Sequence, residues 1–245
     1  MRIVVLAKQV PEHPDRLDPV THRLVRDGRP ALDDADAVGI ELALRLAPGP
    51  QDVVLVSMGP VADGLRTGLA LGAARAVLVS DPGLAGADAL TTAKALAAAI
   101  ERLQPVDLVV AATESTDGYT GVLPSQLAEL LGLPAVTFAR RVDIGDGELR
   151  AERQTEAGHD DVVCPLPCLV TVTSGAAVPH YPSFKAIVGA KSKPVEVVDA
   201  PVAADPGQEV VDVQPVDDRR HGEIVDDDGQ GHERILDLLT RLKVL

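Results

Sequence analysis

Aromatic side chains are scarce in this 245-residue chain, which has two Tyr, two Phe and no Trp. Hydrophobic residues still make up 46% of it, so a folded core must be built from Val, Leu, Ile and Ala. Aliphatic cores of this kind are typical of parallel sheets that helices cover on both faces. The length is sufficient for one large domain or two small ones. The composition therefore favours an α/β fold.

Cysteine and positive charge are also in short supply. Cys164 and Cys168 are the only cysteines, and because no second pair exists to complete a zinc site, we predict reduced, packed thiols and no metal. The formal net charge is −14, which argues against nucleic acid or an anionic membrane as the main partner. A small phosphate ligand is compatible with this charge, since backbone amides at helix N-termini bind phosphate without Lys or Arg.

No hydrophobic run reaches the roughly 18 residues that a membrane-spanning helix needs. The apolar start, residues 1–7, is too short for a signal peptide, and a charged turn follows it. We therefore expect a soluble, cytoplasmic protein without direct membrane insertion.

Strands and helices alternate through the first half of the chain. Aliphatic runs predict buried strands at residues 3–7, 52–58, 76–80 and 108–112. Apolar residues at helical spacing predict helices at residues 37–46, 61–71, 88–103 and 124–131. This alternation predicts a doubly wound, mostly parallel sheet.

The pattern changes in the second half. Residues 135–144, 148–154 and 168–173 resemble strands without long helices between them, and Asp146-Gly147 is a hairpin signal, so we predict a small antiparallel addition. The acidic residues 201–230 predict an extended arm, and residues 232–243 an amphipathic helix. We accordingly expect an α/β domain over residues 1–193 and a C-terminal arm with its helix over residues 194–245.

The loops after the parallel strands are the expected ligand site, because doubly wound sheets bind ligands beyond the carboxyl ends of their strands. Residues 114–125 are the richest of these loops, with two glycines, several hydroxyls and a helix start that offers free amides to a phosphate. An ordinary strand-to-helix turn is an equally good interpretation of this pattern. Dinucleotide, Walker, nucleophile-elbow and zinc-protease signatures do not occur, so we assign no catalytic residue and favour a binding or carrier role.

A second unusual stretch, residues 178–185, holds half of the aromatic residues and two prolines that stiffen it. Tyr181 and Phe184 are either rigid anchors for a partner protein or rings packed into the core.

Several of these motifs together resemble the β subunit of electron transfer flavoprotein. They include Val-Leu-Ala-Lys-Gln-Val-Pro at 5–11, Val-Ser-Met-Gly-Pro at 56–60, Ser-Thr-Asp-Gly at 115–118 and Tyr-Pro-Ser-Phe-Lys at 181–185. The similarity extends over nearly the whole chain and is greatest to actinobacterial members. It implies an electron-carrier subunit that is not itself an enzyme. Its partners would be an α subunit that holds most of the FAD, acyl-CoA-type dehydrogenases as donors and a quinone oxidoreductase as acceptor.

The resemblance also implies which residues bind ligands. An AMP pocket in this subunit would use residues at the strand ends and in the following loops: Leu6, Asp33, Asp36, Met58, Val110, Ala112, Thr113, Ser115, Thr116, Asp117, Gly118, Thr120, Gly121, Val122 and Leu123. A partner-recognition loop at about residues 178–191 would use Tyr181, Phe184, Lys185 and Ile187, with Phe184 as the anchor. Arg153 and Gln154 would lie near the flavin. The C-terminal arm and helix would pack on the α subunit.

The chain departs from the family pattern at several of these positions. Asp33-Asp34-Ala35-Asp36 replaces an Asn-Pro-Phe-Asp-like segment, and the added carboxylates are expected to repel a phosphate. Gln154 replaces a common Glu, and Ser192 interrupts a lysine run. Two alternatives therefore stay open: a bifurcating relative that binds a second FAD in place of AMP and oxidises NADH, and a stand-alone adenine-nucleotide enzyme.

Overall fold

The computed structural model describes residues 1–13, 16–200, 207–214, 224 and 229–244. The chain divides into two compact units, Met1–Val211 and Asp212–Leu245. Much of the predicted extended arm, at residues 201–206, 215–223 and 225–228, lies outside the described residues.

The first unit alternates strands and helices, as the sequence predicts. In chain order its elements are β1 (Ile3–Leu6), β2 (Gln9–Pro11), β3 (Pro30–Leu32), α1 (Asp34–Leu46), β4 (Val53–Met58), α2 (Asp63–Leu71), β5 (Arg75–Val79), α3 (Ala89–Glu101), β6 (Leu108–Ala112), α4 (Leu123–Leu131), β7 (Ala135–Gly145), β8 (Glu148–Thr155), β9 (Gly158–Pro165), β10 (Cys168–Val172), α5 (Phe184–Ala190) and β11 (Val195–Val198). The second unit contains the amphipathic helix α6 (Gly231–Arg241).

A nine-stranded sheet with the order β11-β5-β4-β1-β6-β10-β7-β8-β9 forms the centre of the first unit. Every neighbouring pair from β11 to β7 is parallel, and β7, β8 and β9 continue the sheet as an antiparallel meander. The small strands β2 and β3 form a separate antiparallel pair. The predicted α/β class, the mostly parallel sheet and the antiparallel addition are confirmed.

Two aliphatic cores lie on the two faces of this sheet. Alternate residues of β1 show the division: Ile3 and Val5 belong to the core on the side of α1 and α2, whereas Val4 and Leu6 belong to the core on the side of α3 and α4. A strand buried on both faces has no polar face, which explains its continuous aliphatic sequence. Cys164 and Cys168 are free and buried in the first core, as predicted.

Several predicted boundaries have the expected chemistry. The Asp88 carboxylate accepts a hydrogen bond from the Thr91 amide and caps α3. Gly132 ends α4 in the left-handed conformation (φ +64°). Asp146 and Gly147 both have positive φ, which is the geometry of a tight hairpin turn between β7 and β8.

Other elements differ from the prediction. Strand β9 was not predicted because its first half, His159-Asp160-Asp161, is polar; it forms because all of its residues pair with β8. Val61 precedes α2 instead of lying within it. Residues 184–190, described as part of a loop, form the short helix α5, which Ser183 caps. Strand β11 pairs with β5 although the expected domain boundary assigned its residues to the arm. No described helix has the length and apolarity to cross a membrane.

Candidate nucleotide site and partner surface

Three neighbouring strands bring the candidate loops to one edge of the sheet. Strands β4, β1 and β6 are adjacent and parallel, so the residues that follow their carboxyl ends lie side by side. Leu6, Met58 and Ala112 are in the last positions of these strands. Val110 lies deeper in β6, where it is fully buried.

Asp33 joins the first turn of α1 to the loop after β6. Its buried carboxylate accepts a hydrogen bond from the Ala35 amide at 3.0 Å and so caps α1. The same carboxylate accepts hydrogen bonds from the amide of Thr116 at 2.8 Å and from its hydroxyl at 3.1 Å. The charge of Asp33 is therefore satisfied inside the protein, which weakens the expectation that this carboxylate repels a bound phosphate.

Asp36 lies one helical turn further along α1 and is also buried. Its carboxylate accepts a hydrogen bond from the Lys8 amide at 2.6 Å. Burial, followed by the nearby charge of Asp33, raises the pKa of Asp36 well above its ordinary value. A raised carboxyl pKa favours the neutral form, so Asp36 adds less negative charge to the pocket than its residue type indicates.

Asp117 is held by two cations from distant parts of the chain. Its side chain is fully covered and lies 2.6 Å from Lys8 Nζ and 2.5 Å from Arg26 Nη2. Lys8 Nζ also donates to Ser115 Oγ at 3.0 Å. Desolvation favours a higher pKa for Asp117, but the hydrogen bond and charge of Lys8 and the hydrogen bonds of Arg26 and Ser115 outweigh it and lower the pKa. Asp117 is therefore an ionised anchor of the loop.

The glycines of the loop have defined roles. A Cβ at Gly118 would lie 3.1 Å from Ser115 Oγ, which is tighter than an ordinary contact, so the Ser115 hydroxyl would have to shift by a few tenths of an ångström. Gly121 adopts φ +64°, a conformation that other residues rarely adopt. A tight contact at Gly118 and a positive φ at Gly121 therefore favour glycine at these two positions.

The loop leads into the N-terminus of α4, where its surface is open. Thr120, Gly121 and Val122 are exposed, and Val122, the N-cap residue, makes no side-chain capping hydrogen bond in the described structure. The amides of Leu123 and Ser125, together with the positive end of the helix, can therefore donate to an anion, whereas Pro124 between them has no N–H. Leu123 begins the helix and is half-buried. Thr113 has a structural contact instead, donating to the Val172 carbonyl at 3.1 Å.

The structure thus brings Asp33, Ser115, Thr116 and Asp117 together with Lys8 and Arg26. Lys8 lies in the loop after β1, one of the strand-end loops in which the sequence predicts a ligand, but it is not among the residues named for the AMP pocket. Arg26 was not predicted. Arg26 belongs to a long connection between β2 and β3, and no local pattern relates it to residue 117.

The candidate partner surface is formed by α5 and the segment before it. Tyr181 is 98% exposed and Phe184 82% exposed, which excludes packing of these rings in the core of this chain. Ile187 and Val188 are also exposed on α5, and so is Lys185. In β8 of the antiparallel meander, Arg153 donates to Asp160 at 2.8 Å, and Gln154 is exposed.

A family model for the electron transfer flavoprotein domain matches residues 21–203. The chain belongs to the electron transfer flavoprotein family. Electron transfer flavoprotein subunit beta of Mycobacterium tuberculosis is 35% identical over 269 aligned positions, which cover 99% of each chain. The subunit of the same name from Thermoanaerobacterium thermosaccharolyticum is 41% identical over 79% of this chain and 76% of its own length.

A third relative is subunit CarD of the caffeyl-CoA reductase-Etf complex of Acetobacterium woodii, which is 36% identical over 80% of this chain and 78% of its own length. The resemblance to the β subunit and to its actinobacterial members is confirmed by these matches. The family assigns the chain to electron transport as a subunit of a flavoprotein electron carrier.

Proposed function

We propose that the chain is the β subunit of a heterodimeric electron transfer flavoprotein. The complex passes electrons from acyl-CoA-type dehydrogenases to a quinone oxidoreductase in the membrane and itself resides in the cytoplasm. The observation that carries this proposal is the match over 99% of both chains to electron transfer flavoprotein subunit beta. The exposed aromatic residues of the α5 segment support it, because an electron carrier needs a surface for its donors.

FAD, held mostly by the α subunit, supplies the electron-accepting and electron-donating chemistry when it is bound. The residues of this chain bind and orient. Arg153 and Gln154, near the end of β8 in the antiparallel meander, are the proposed contacts toward the flavin. The apolar side chains of α6, which are exposed within the second unit, are the proposed contact with the α subunit.

AMP is the proposed structural ligand of the loop at residues 113–123. The open amides at the start of α4 suit its phosphate, and Leu6 and Met58 at the neighbouring strand ends suit its base. The side chains of Lys8, Arg26 and Asp33 bind residues of the loop itself and are therefore not assigned contacts with the nucleotide. Their role in this proposal is to keep the loop in one conformation before the nucleotide binds.

A bifurcating type is the second candidate, in which the same loop holds a second FAD and NADH is the donor. Its support is the 36% identity to a subunit of the caffeyl-CoA reductase-Etf complex. The two candidates differ in the ligand of one site, so a single measurement separates them.

The test is the nucleotide content of the heterodimer co-purified with its α subunit, released by denaturation and separated by chromatography. One FAD and one AMP per heterodimer are expected. Two FAD without AMP, together with bleaching of the flavins by NADH, would establish the bifurcating type. A heterodimer without flavin would refute both.

A glycine variant locates the second nucleotide. Gly118→Ala is expected to weaken the retention of AMP and keep FAD, because the new Cβ would displace the Ser115 hydroxyl, whose oxygen lies 3.1 Å away. Gly28→Ala is the matched control, since a Cβ there meets nothing within 4 Å. If both variants retain AMP as the wild type does, the nucleotide binds elsewhere.

A further inference from the structure

Helices α2 and α5 cap each other with two cationic side chains. Arg66 of α2 donates through Nη1 to the carbonyls of Ala190 at 2.9 Å and Lys193 at 2.7 Å. Lys193, just beyond α5, donates through Nζ to the carbonyls of Leu69 at 2.8 Å and Ala73 at 2.7 Å. We use the name reciprocal clamp for this pair, Arg66 and Lys193.

The reciprocal clamp adds donors to carbonyls at the ends of the two helices. The Leu69 and Ala190 carbonyls also accept from the amides of Gly72 and Lys193, so for these two carbonyls the clamp supplies a second hydrogen bond. Helix α2 ends at Leu71 and α5 at Ala190, so the carbonyls that receive these bonds belong to the last turns or to the residues just after them. A cation at this end of a helix is also favoured by the helix dipole. Within the described part of the chain, no carboxylate pairs with either cation, so backbone carbonyls are their main partners. Burial lowers the pKa of Lys193.

The opposite end of the segment is fastened separately. His180 Nδ1 lies 2.6 Å from Glu41 Oε2 of α1, and the His180 amide donates to the same oxygen at 3.3 Å. The segment 180–193 is thus bound to α1 at its start and to α2 at its end. Between these two points, Tyr181, Phe184 and Ile187 remain exposed.

These contacts with α1 and α2 fix the position of α5, while the side chains of Phe184 and Ile187 on α5 stay exposed. A seven-residue helix is too short to be stable by itself in water, so its geometry depends on such contacts. A surface that already has its bound conformation avoids the cost of ordering it when the partner arrives.

We propose that Arg66 and Lys193 are positioning residues for partner docking, which hold α5 so that Phe184 is presented in the conformation that a donor dehydrogenase binds. The proposal rests on the proposed function for the identity of the donor. It assigns to the reciprocal clamp a role in docking and none in flavin binding or in electron transfer within the complex.

Breaking the clamp should raise the KM of the donor dehydrogenase for the heterodimer and leave its kcat unchanged. If Arg66→Gln lowers the docking-competent fraction to about one fifth, the apparent affinity falls about fivefold. Lys193→Met is expected to act in the same direction, and Lys193→Arg, which keeps the donors, is expected to restore most of the affinity. FAD and AMP content should stay at the wild-type value. Arg75→Gln is the matched control, since the one side-chain ion pair of Arg75 among the described residues is a 3.8 Å contact with the exposed Glu196.

A double-mutant cycle with Phe184→Ala separates positioning from general destabilisation. The assay is steady-state electron transfer from a purified acyl-CoA dehydrogenase to the intact heterodimer. If the clamp acts by presenting Phe184, Arg66→Gln adds less than about twofold to KM once Phe184 is absent. If the two changes in KM multiply in full, the positioning role is wrong.

Hydrogen exchange gives a readout that needs no donor. Faster exchange in Arg66→Gln is expected at the amides of residues 184–190 and not in the central strands. If exchange at the amides of α5 is the same in Arg66→Gln and wild type, the proposal that Arg66 positions α5 is wrong, independently of the donor. A wild-type heterodimer that receives no electrons from acyl-CoA dehydrogenases, but whose α5 exchange responds to Arg66→Gln, would refute the donor assignment and leave the clamp standing.

Discussion

The buried carboxylate of Asp33 accepts two hydrogen bonds from Thr116, one from its amide at 2.8 Å and one from its hydroxyl at 3.1 Å. These residues are 83 positions apart in the sequence. Because Asp33 also caps α1, one side chain fastens the start of a helix to the loop that we propose for AMP.

Asp33→Ala is therefore expected to loosen the nucleotide loop. Losing an N-cap costs about 1 kcal/mol, and leaving a buried donor unpaired costs a further 1–3 kcal/mol, roughly. The apparent unfolding temperature of the complex should fall, and the bound nucleotide should dissociate faster. Differential scanning fluorimetry and dilution-release measurements check the two effects. Asp34→Ala, at an exposed position in the same turn, is the control; equal behaviour of the two variants would refute the role of Asp33.

Asp36→Asn tests the raised pKa of Asp36. Since that pKa is raised in the folded state, the folded chain binds more protons than the unfolded chain between the ordinary carboxyl pKa and the raised one, and stability decreases as pH rises through this window. Asn stays neutral and retains an oxygen acceptor for the Lys8 amide. The unfolding midpoint of the variant, relative to wild type, is expected to increase as pH rises above the ordinary carboxyl pKa. A difference that is constant over this range would mean that Asp36 has an ordinary pKa.

Lys8→Met tests the anchoring of Asp117. The lowered pKa of Asp117 contributes stability above the ordinary carboxyl pKa, and this contribution is lost as pH falls through the lowered value. Removal of Lys8 takes away the hydrogen bond and the charge that lower the pKa, so acid unfolding of the variant should begin at a higher pH. Circular dichroism during acid titration measures this shift. Lys94→Met, at an exposed site on α3, should titrate like wild type.

Phe184→Ala tests the partner surface. Phe184 is 82% exposed, so its removal should leave the fold and the flavin content unchanged. A buried aromatic anchor contributes about 2 kcal/mol or more to an interface, which predicts an increase in KM for the donor dehydrogenase of roughly 30-fold. Val20→Ala, an exposed apolar position in another loop, is the control. Equal rates for wild type and Phe184→Ala at a subsaturating donor concentration would contradict the prediction.

Local patterns predicted the central strands well. Strand β6 has the predicted bounds, and β1 and β4 differ from the prediction by one residue at one end. These strands are buried on both faces, so nothing interrupts their aliphatic runs. Strand β9 and helix α5 were not predicted because their polar or short sequences adopt regular structure only through partners, β8 for the strand and α2 for the helix.

The candidate site was predicted as a set of loops and not as a set of contacts. The glycines and hydroxyls of residues 114–125 and the helix start that follows indicated where a phosphate ligand would bind. The same sequence indicated repulsion by the carboxylates at residues 33–36, because nothing local shows that Asp33 is bonded to Thr116 or that burial raises the pKa of Asp36.

The sequence by itself determined the α/β class, the order of strands and helices, and the family, because hydrophobic period, turn residues and motifs are local properties of the chain. Only the tertiary structure decided that Lys8, Arg26 and Asp117 form one ion-pair network and that Arg66 and Lys193 cap each other's helices. These contacts depend on which strands are neighbours and on how helices pack over the sheet. Sequence spacing carries no information about such distances, since residues far apart in the chain meet only after the sheet has assembled.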